Sequence, residues 1–222
     1  MYINNVKVYG LNESKVAAGY PMRVDVDENN SIEDDIFNEK FPEAIDSLGQ
    51  SKPGTGHANF LKGIIVQFNL NFSIKAWYEA ERYNWFDFVS STSLMHRITK
   101  MDIKKSCNKY VWGSTITTLE KKVKEYNEYA ANIAYMKKHG LHTSNFHQED
   151  YNRRVEHAKE LYLEILYNVP AGFEFTARMT TNYLQLKTIY AQRRNHRLPD
   201  WQHFCDWIET LPDSHFITGK RG

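Results

Sequence analysis

The sequence GIIVQFNLNFSI at residues 63–74 runs directly into KAWYEAERYNWFDFV at 75–89. The first stretch is β-branched and aromatic, and its apolar residues alternate over most of its length, which predicts a strand. The second stretch has helix-forming residues early and aromatic residues late, which predicts a helix that gives way around Asn84 to Asp87. The following residues, SSTSLMHR at 90–97, are expected to form a polar loop. A strand is therefore followed at once by a helix.

Two further strands are predicted on either side of this pair. YINNVKVYG at 2–10 alternates apolar and polar residues, and FEFTARMTT at 173–181 has the composition of a strand. Residues 31–48 are helical in part, with a break expected near Pro42. The glycines and prolines of 51–60 predict a loop.

The second half of the chain carries stronger helical signals. Residues 118–140 have apolar and charged side chains at helical spacing and end at a glycine, and 147–169 form a second long helix that ends before a proline. Because only a short linker separates them, we expect residues 118–169 to form an antiparallel helical hairpin. Further helices are expected over 182–194 and 199–211.

The order of these elements predicts the fold class. Strands and helices mix without a strict βαβ alternation, which indicates an α+β fold with an antiparallel or mixed sheet, flanking helices and the long hairpin. A chain of 222 residues suits one domain, spanning 1–222. Residues 212–222 are expected to be a mobile tail.

Charge and cysteine usage argue against several functions. With 28 Lys and Arg against 27 Asp and Glu, the chain lacks the basic excess of a nucleic-acid binder. Two distant cysteines predict reduced thiols and a cytoplasmic protein. The N-terminus has a strand pattern rather than that of a signal peptide, and the longest apolar run is too short to cross a membrane.

Several possible sites have ordinary explanations. His139, His142 and His147 cluster near one linker, but a metal site would need further ligands, and solvated loop histidines are common, so we predict no metal. The glycines before His57 fit neither a P-loop nor a GxGxxG motif, which favours a turn with a solvated or capping histidine. No GxSxG motif supports a hydrolase.

Two arginines are better candidates for binding an anion. Ser93 and Arg97 are spaced so that both could contact one anion, or they could be a helix cap followed by an exposed arginine. Asn182 and Arg193 lie three turns apart on nearly the same helix face, where an arginine often pairs with a carboxylate or phosphate. The alternative for Arg193 is that it only complements the helix dipole.

Three stretches in order resemble the flavin-dependent thymidylate synthases (ThyX), including phage-borne relatives of that family. They are PGTGHANF through SSTSLMHR (53–97), HAKELYLEILYNVP (157–170) and TTNYLQLKTIYAQRRNHRLPDW (180–201), which together span roughly residues 51–210. The resemblance implies an α+β fold, a homotetramer with interfacial active sites, FAD as cofactor, and NADPH and methylenetetrahydrofolate as further ligands. It also implies a dUMP-like substrate, and no nucleic-acid or membrane partner is expected.

The resemblance also implies residue roles. Arg193 matches the arginine that contacts and polarises the pyrimidine, and would be the catalytic residue. Arg97 and Ser93 match the loop that holds the nucleotide. His57, Arg82 and Asn182 match residues that bind the flavin.

The chain departs from the family pattern where Arg82-Tyr83-Asn84 replaces Arg-His-Arg, which removes a cation expected near the FAD pyrophosphate. One residue is inserted between Ser93 and Arg97, and Leu184 replaces a usual arginine.

These matches and departures leave two functions open. One is a divergent enzyme that transfers a one-carbon unit to C5 of a pyrimidine deoxynucleotide monophosphate, giving dTMP or a related product. The other is a pyrimidine-nucleotide-binding protein without flavin chemistry. A third possibility is a scaffold whose charges only order its surface.

Overall fold

The computed structural model describes residues 1–22, 41–52, 55–143 and 147–219. Its strands are β1 (Tyr2–Tyr9), β2 (Ile65–Ser73), β3 (Phe86–Ser91) and β4 (Glu174–Asn182). Its α-helices are α1 (Leu11–Ala18), α2 (Phe41–Gln50), α3 (Ile74–Ala80), α4 (Leu94–Arg97), α5 (Ile103–Ser106), α6 (Gly113–Lys138), α7 (Gln148–Tyr167), α8 (Tyr183–Arg193), α9 (Pro199–Ile208) and α10 (His215–Thr218). Short 3₁₀ turns occupy Tyr20–Met22, Asn59–Lys62, Ile98–Lys100 and Leu141–Thr143.

The four strands form one sheet in the order β1-β2-β4-β3. The β1–β2 pair is antiparallel, with Tyr2 opposite Asn71, and so is the β3–β4 pair, with Phe86 opposite Thr181. The register of β1 shifts between Asn4 and Lys7, a segment that includes Asn5 at φ 51°. These strands and helices confirm the predicted α+β fold.

The described chain divides into two compact units. The first comprises residues 1–72, 76–91 and 176–222, and the second comprises 73–75 and 92–175. Among the described residues, no helix combines the length and apolar character needed to span a membrane.

The core of the first unit lies against one face of the sheet. Alternate residues of β2 are fully buried, and the Phe68 ring centre lies 4.6 Å from that of Trp207 on α9. Phe72 lies 5.1 Å from Trp201 on the same helix. Aromatic pairs at these distances add to the burial of apolar surface, so they fix α9 on the sheet.

The C-terminal residues belong to this core, which corrects the expectation of a mobile tail for 212–219. Helix α10 buries Phe216 and Ile217, and the Phe216 ring packs edge-on against Phe60 with centres 5.6 Å apart. The Tyr183 hydroxyl donates to the Pro212 carbonyl at 2.5 Å. Two buried apolar side chains hold the C-terminal residues in place. Two apolar residues in a four-residue helix are too few to show helical periodicity in the sequence.

The second unit is built on α6 and α7. Lys122 pairs with Glu164 at 2.8 Å, Tyr126 stacks near Tyr162, and Tyr129 lies near His157. Residues later in α6 pair with residues earlier in α7, so the two helices are antiparallel. The predicted hairpin is therefore confirmed. The core of this unit contains Ile98, Ile103, Leu119, Val123, Ile165 and Phe173.

Element boundaries differ from the sequence-based expectations in several places. The helix predicted from residue 75 to around Asn84–Asp87 ends at Ala80, and residues 86–91, expected as helix end and loop, form strand β3. Pro42 stands in the first turn of α2, where proline is tolerated, rather than breaking a helix. The part of that predicted helix before Phe41 lies outside the described residues. Helix α6 begins at Gly113, five residues before the expected 118.

Candidate functional site

Arg193, the last residue of α8, is held by several side chains in the first unit. Its Nε donates to the Tyr83 hydroxyl at 2.8 Å, and its Nη1 donates to Glu79 Oε2 at 2.8 Å. Its guanidinium lies 4.9 Å from the centre of the Trp201 ring, a cation–π distance. The Arg193 and Glu79 side chains are each 12% exposed. Arg193 is therefore fixed inside the fold and is more than a solvated complement to the helix dipole.

Helical periodicity places both members of this ion pair. On α8, Leu186, Ile189 and Tyr190 are buried. Arg193 follows Ile189 by four residues and Tyr190 by three, so it lies on the same stripe. On α3, Ala76 and Ala80 are buried, and Glu79 lies three residues after the first of these. Each charged residue extends the buried face of its helix. Arg193 and Glu79 therefore meet where the two helices pack, although 114 residues separate them.

Glu79 is the acceptor for further donors. Trp201 Nε1 donates to Glu79 Oε2 at 3.0 Å, and His196 Nε2 lies 3.4 Å from the same oxygen. His196 Nδ1 accepts a hydrogen bond from the Leu198 N–H at 3.2 Å, and its Nε2 also lies 2.9 Å from Arg193 Nη1. Glu79 thus accepts hydrogen bonds from Arg193 and Trp201, and His196 lies beside the ion pair.

Tyr83 occupies the middle of the motif that departs from Arg-His-Arg. It is buried, and its hydroxyl accepts from Arg193 and donates to Gln192 Oε1 at 3.0 Å. Its neighbours Arg82 and Asn84 are exposed. The substituted residue therefore points into the protein and orients Arg193.

Asn182, the first residue of the predicted helix, is its N-cap. Its Oδ1 accepts from the Gln185 N–H at 2.8 Å, and the residue is buried. The side-chain oxygen is therefore used by the helix, whereas Nδ2 forms no hydrogen bond with a described residue. His57 is exposed and follows Gly56, whose φ of +82° requires the left-handed conformation that glycine adopts easily.

Ser93 and Arg97 lie in the second unit, at the two ends of α4. Ser93 is at the N-cap position, but its hydroxyl makes no capping hydrogen bond, so the capping alternative is not realised. Arg97 is exposed and has no hydrogen bond or ion pair with a described residue. Both side chains are chemically available to an anion.

The other arginines after Arg193 are at the surface. Arg194 Nη1 donates to Asp206 Oδ1 at 2.5 Å, and its Nε lies 3.5 Å from Glu209. The bond to Asp206 raises the pKa of the Arg194 guanidinium. Arg197 is exposed.

Other reactive groups do not form a nucleophilic site. Burial raises the pKa of the Cys205 thiol to about 12, so it stays protonated at neutral pH. Burial lowers the pKa of Lys187, but its Nζ donates to the Gly49 and Ser51 carbonyls and so serves the fold. Among the described residues, no group of three or more His, Cys, Asp or Glu side chains could hold a metal ion.

A cavity of about 370 Å³ lies at one end of the hairpin in the second unit. Its lining includes Ser114, Thr118, Lys122, Glu164 and Asn168. The lining contains neither Ser93 nor Arg97, so this cavity gives no support to the predicted nucleotide loop.

Glu79, Tyr83 and Trp201 are partners of Arg193 that the sequence patterns did not indicate. A signal for Glu79 was present, because it shares the face of α3 that carries Ala76 and Ala80. The carboxylate that pairs with Arg193 is determined by how α3, α8 and α9 pack. That packing cannot be read from any short stretch of the sequence.

Glu79, Tyr83 and Trp201 together can position the guanidinium of Arg193 against a planar ligand. Such a group donates hydrogen bonds to a carbonyl oxygen and stabilises negative charge that develops there. A carboxylate beside it accepts from an N–H group. The chemistry available is therefore polarisation and orientation rather than covalent attack.

No protein-family model and no curated protein matches the chain. Two solved structures do resemble its fold. Both are the flavin-dependent thymidylate synthase ThyX from Helicobacter pylori complexed with FAD and dUMP. Each is 15% identical and aligns over 98% of this chain and 97% of its own, with TM-scores of 0.58 and 0.59. The chain therefore has the ThyX fold over nearly its whole length.

Proposed function

We propose that the protein is a divergent ThyX-like enzyme that transfers a one-carbon unit to C5 of a pyrimidine deoxynucleotide monophosphate. The substrate would be dUMP, giving dTMP, or a related nucleotide giving another 5-substituted product. The observation that carries the proposal is the preorganised guanidinium of Arg193, held by Glu79, Tyr83 and Trp201 within a ThyX fold.

Arg193 has the central role in this proposal. Its guanidinium would donate to a carbonyl oxygen of the base and draw electron density away from the ring, which prepares the ring for substitution at C5. Because Tyr83 and Glu79 already fix the guanidinium, little reorganisation is needed when the base binds. Arg97 and Ser93 would hold the nucleotide phosphate through charge-assisted and neutral hydrogen bonds.

The residues assigned to a flavin fit it in part. Arg82 is exposed and can face a pyrophosphate, Asn182 Nδ2 can donate to a ring carbonyl, and His57 is exposed. Bound FAD would carry the redox chemistry, with NADPH as hydride source and methylenetetrahydrofolate as carbon donor. The protein would supply binding and orientation. This agrees with the state of its two buried reactive groups, because the Cys205 thiol stays protonated and the Lys187 amine is hydrogen-bonded to a backbone carbonyl.

A nucleotide-binding protein without flavin chemistry is the second candidate, and Tyr83 favours it. Asn84 stands where the motif has its second arginine, so one cation of the expected pyrophosphate-binding group is missing, and Tyr83 at the centre of the motif is buried against Arg193. Nucleotide binding is common to both candidates.

Absorbance of the purified protein with added FAD separates them. The enzyme requires flavin bands in the bound fraction and dUMP-dependent NADPH oxidation in the presence of methylenetetrahydrofolate. If the product is dTMP, the gene should also rescue a thymidine auxotroph, which the Arg193→Ala variant should not do. A colourless protein that binds dUMP would leave only the second candidate, and absence of binding to dUMP and to the other pyrimidine deoxynucleotide monophosphates would exclude both. Light scattering tests the homotetramer we propose for the active form.

A further inference from the structure

The helical hairpin of the second unit carries another cavity, of about 390 Å³. Its lining is Tyr129 of α6 together with Asp150, Arg153, Arg154 and His157 of α7. None of these residues is assigned above to the nucleotide or to the flavin. The volume lies within the range of about 300–1,000 Å³ that is usual for small-molecule sites, so the cavity can hold more than a single ion.

One carboxylate holds both arginines of this cavity. Arg154 Nε donates to Asp150 Oδ2 at 2.8 Å, and Arg153 Nη2 donates to Asp150 Oδ1 at 2.6 Å. These bonds lower the pKa of the Asp150 carboxyl, so it is ionised at neutral pH. The Asp150 and Arg154 side chains are only 32% and 36% exposed, whereas Arg153 is 79% exposed. Two guanidinium charges thus face one carboxylate, which leaves an excess of positive charge.

Hydrogen-bond donors also outnumber acceptors in this cavity. Each guanidinium uses a single N–H group on Asp150 and makes no other hydrogen bond or ion pair with a described residue. The Tyr129 hydroxyl likewise has no hydrogen bond with a described residue, and its ring lies 4.6 Å from that of His157. Asp150 is the one carboxylate among the described lining residues, and both of its oxygens already accept from arginine.

A complementary ligand group is therefore anionic and carries acceptors only. The terminal oxygens of a phosphoryl group meet both conditions, and the planar donor fork of arginine binds such oxygens in pairs. A carboxylate suits the cavity less well, because its oxygens lie in one plane and cannot engage two guanidinium groups and a phenol from different sides. A phosphoryl group fills a small part of the cavity, so an organic part of the ligand has room beside the Tyr129 ring.

We propose that this cavity binds the phosphomonoester group of a small molecule through Arg153, Arg154 and the Tyr129 hydroxyl. The inference goes beyond the proposed function, because it adds a phosphate site to the one assigned to Arg97 and Ser93. The two sites have no residue in common, so each can be removed while the other is kept.

Calorimetric titration with phenyl phosphate tests the proposal. The natural protein should bind it, and this binding should persist in Arg97→Ala, which removes the arginine assigned to the nucleotide phosphate. Arg154→Gln should weaken it roughly tenfold or more, because it removes hydrogen bonds to a charged group. Lys159→Gln is the matched control, since Lys159 is an exposed cation on the same helix that pairs with Glu156 and does not line the cavity. This control should bind like the natural protein.

Two further measurements make the test independent of a single variant. Tyr129→Phe removes only the hydroxyl and should weaken phenyl phosphate binding by a smaller factor than Arg154→Gln. Inorganic phosphate should bind to the natural protein more weakly than phenyl phosphate, because it has no organic part to contact the Tyr129 ring. Equal affinity for the two would overturn the assignment to a phosphomonoester. Thermal unfolding shows whether each variant is folded.

The proposal is overturned if phenyl phosphate does not bind to the natural protein. Equal weakening by Arg154→Gln and Lys159→Gln would also overturn it, because the binding would then follow the overall charge of the helix. Binding that is lost in Arg97→Ala and kept in Arg154→Gln would place the phosphate in the nucleotide loop. That last result would support the proposed function and reject this second site, so the two proposals fail separately.

Discussion

The Tyr83 hydroxyl accepts a hydrogen bond from Arg193 Nε at 2.8 Å and donates one to Gln192 at 3.0 Å. One hydroxyl therefore joins the altered motif after α3 to the last turn of α8. The residue that departs from the family pattern is thus a structural partner of the arginine that the resemblance singles out. This relation makes the effect of removing a single oxygen atom predictable.

The Tyr83→Phe variant should fold but hold Arg193 less rigidly. It loses both hydrogen bonds while keeping the ring, so we expect the free energy of unfolding to fall by about 1–2 kcal/mol. Affinity for dUMP should fall about five- to tenfold because the guanidinium must be ordered on binding. Thermal unfolding and calorimetry measure the two effects. Tyr78→Phe is the matched control, since Tyr78 is 64% exposed, and an equal loss of affinity in that control would contradict the prediction.

The Arg97→Ala variant should lose nucleotide affinity without losing stability. Arg97 is exposed and makes no hydrogen bond or ion pair with a described side chain, and surface changes of this kind are within about 0.5 kcal/mol. If Arg97 binds the phosphate, affinity for dUMP should fall at least tenfold, whereas affinity for deoxyuridine should not change. Arg197→Ala, which removes another exposed arginine, is the control. Equal weakening of dUMP and deoxyuridine would show that Arg97 does not contact the phosphate.

Much of the fold could be predicted because the relevant patterns are local. Strands β1, β2 and β4 show alternation, and α8 has a regular buried stripe with Asn182 at its cap. Strand β3 could not be predicted in this way. It is an edge strand with five exposed residues, and it is defined by pairing with β4, which lies about 90 residues further along the chain.

The site shows the same division between local and long-range information. The position of Arg193 at the junction of an apolar stripe and a polar end indicated a half-buried arginine with an anionic partner. Choosing between carboxylate and phosphate required the packing of α3 against α8, which brings Glu79 to it. Tyr83 was visible only as a departure from a motif, and its burial gives that departure a structural meaning.

The two cysteines should differ in their reaction with Ellman's reagent. Burial and the nearby Glu120 and Glu174 raise the pKa of the half-buried Cys107, and Cys205 is fully buried with a pKa of about 12. Because the thiolate is the reactive form, the native protein at neutral pH should label slowly at Cys107 and not at Cys205. In urea both should react. The Cys107→Ser variant should show no native labelling, and rapid labelling of that variant would contradict the burial of Cys205.

Lys187 provides a test of how α2 is held. The residue is buried, and its Nζ donates to the Gly49 and Ser51 carbonyls at the C-terminal end of α2. A cation there also complements the helix dipole. The Lys187→Met variant leaves both carbonyls without this donor, so we expect the free energy of unfolding at pH 7 to fall by about 1–3 kcal/mol.

The pH dependence of this difference has a defined sign. Burial lowers the pKa of Lys187 below its ordinary 10.5, so between the two pKa values the unfolded chain binds more protons than the folded protein. The free energy of unfolding of the natural protein should therefore rise with pH in that window relative to Lys187→Met. Urea denaturation of both proteins from pH 7 to pH 10 measures the gap, which should widen. The same series with Lys62→Met, at an exposed position, should show a constant gap. A gap that narrows with rising pH would mean that the folded state favours the charged lysine, contrary to its burial.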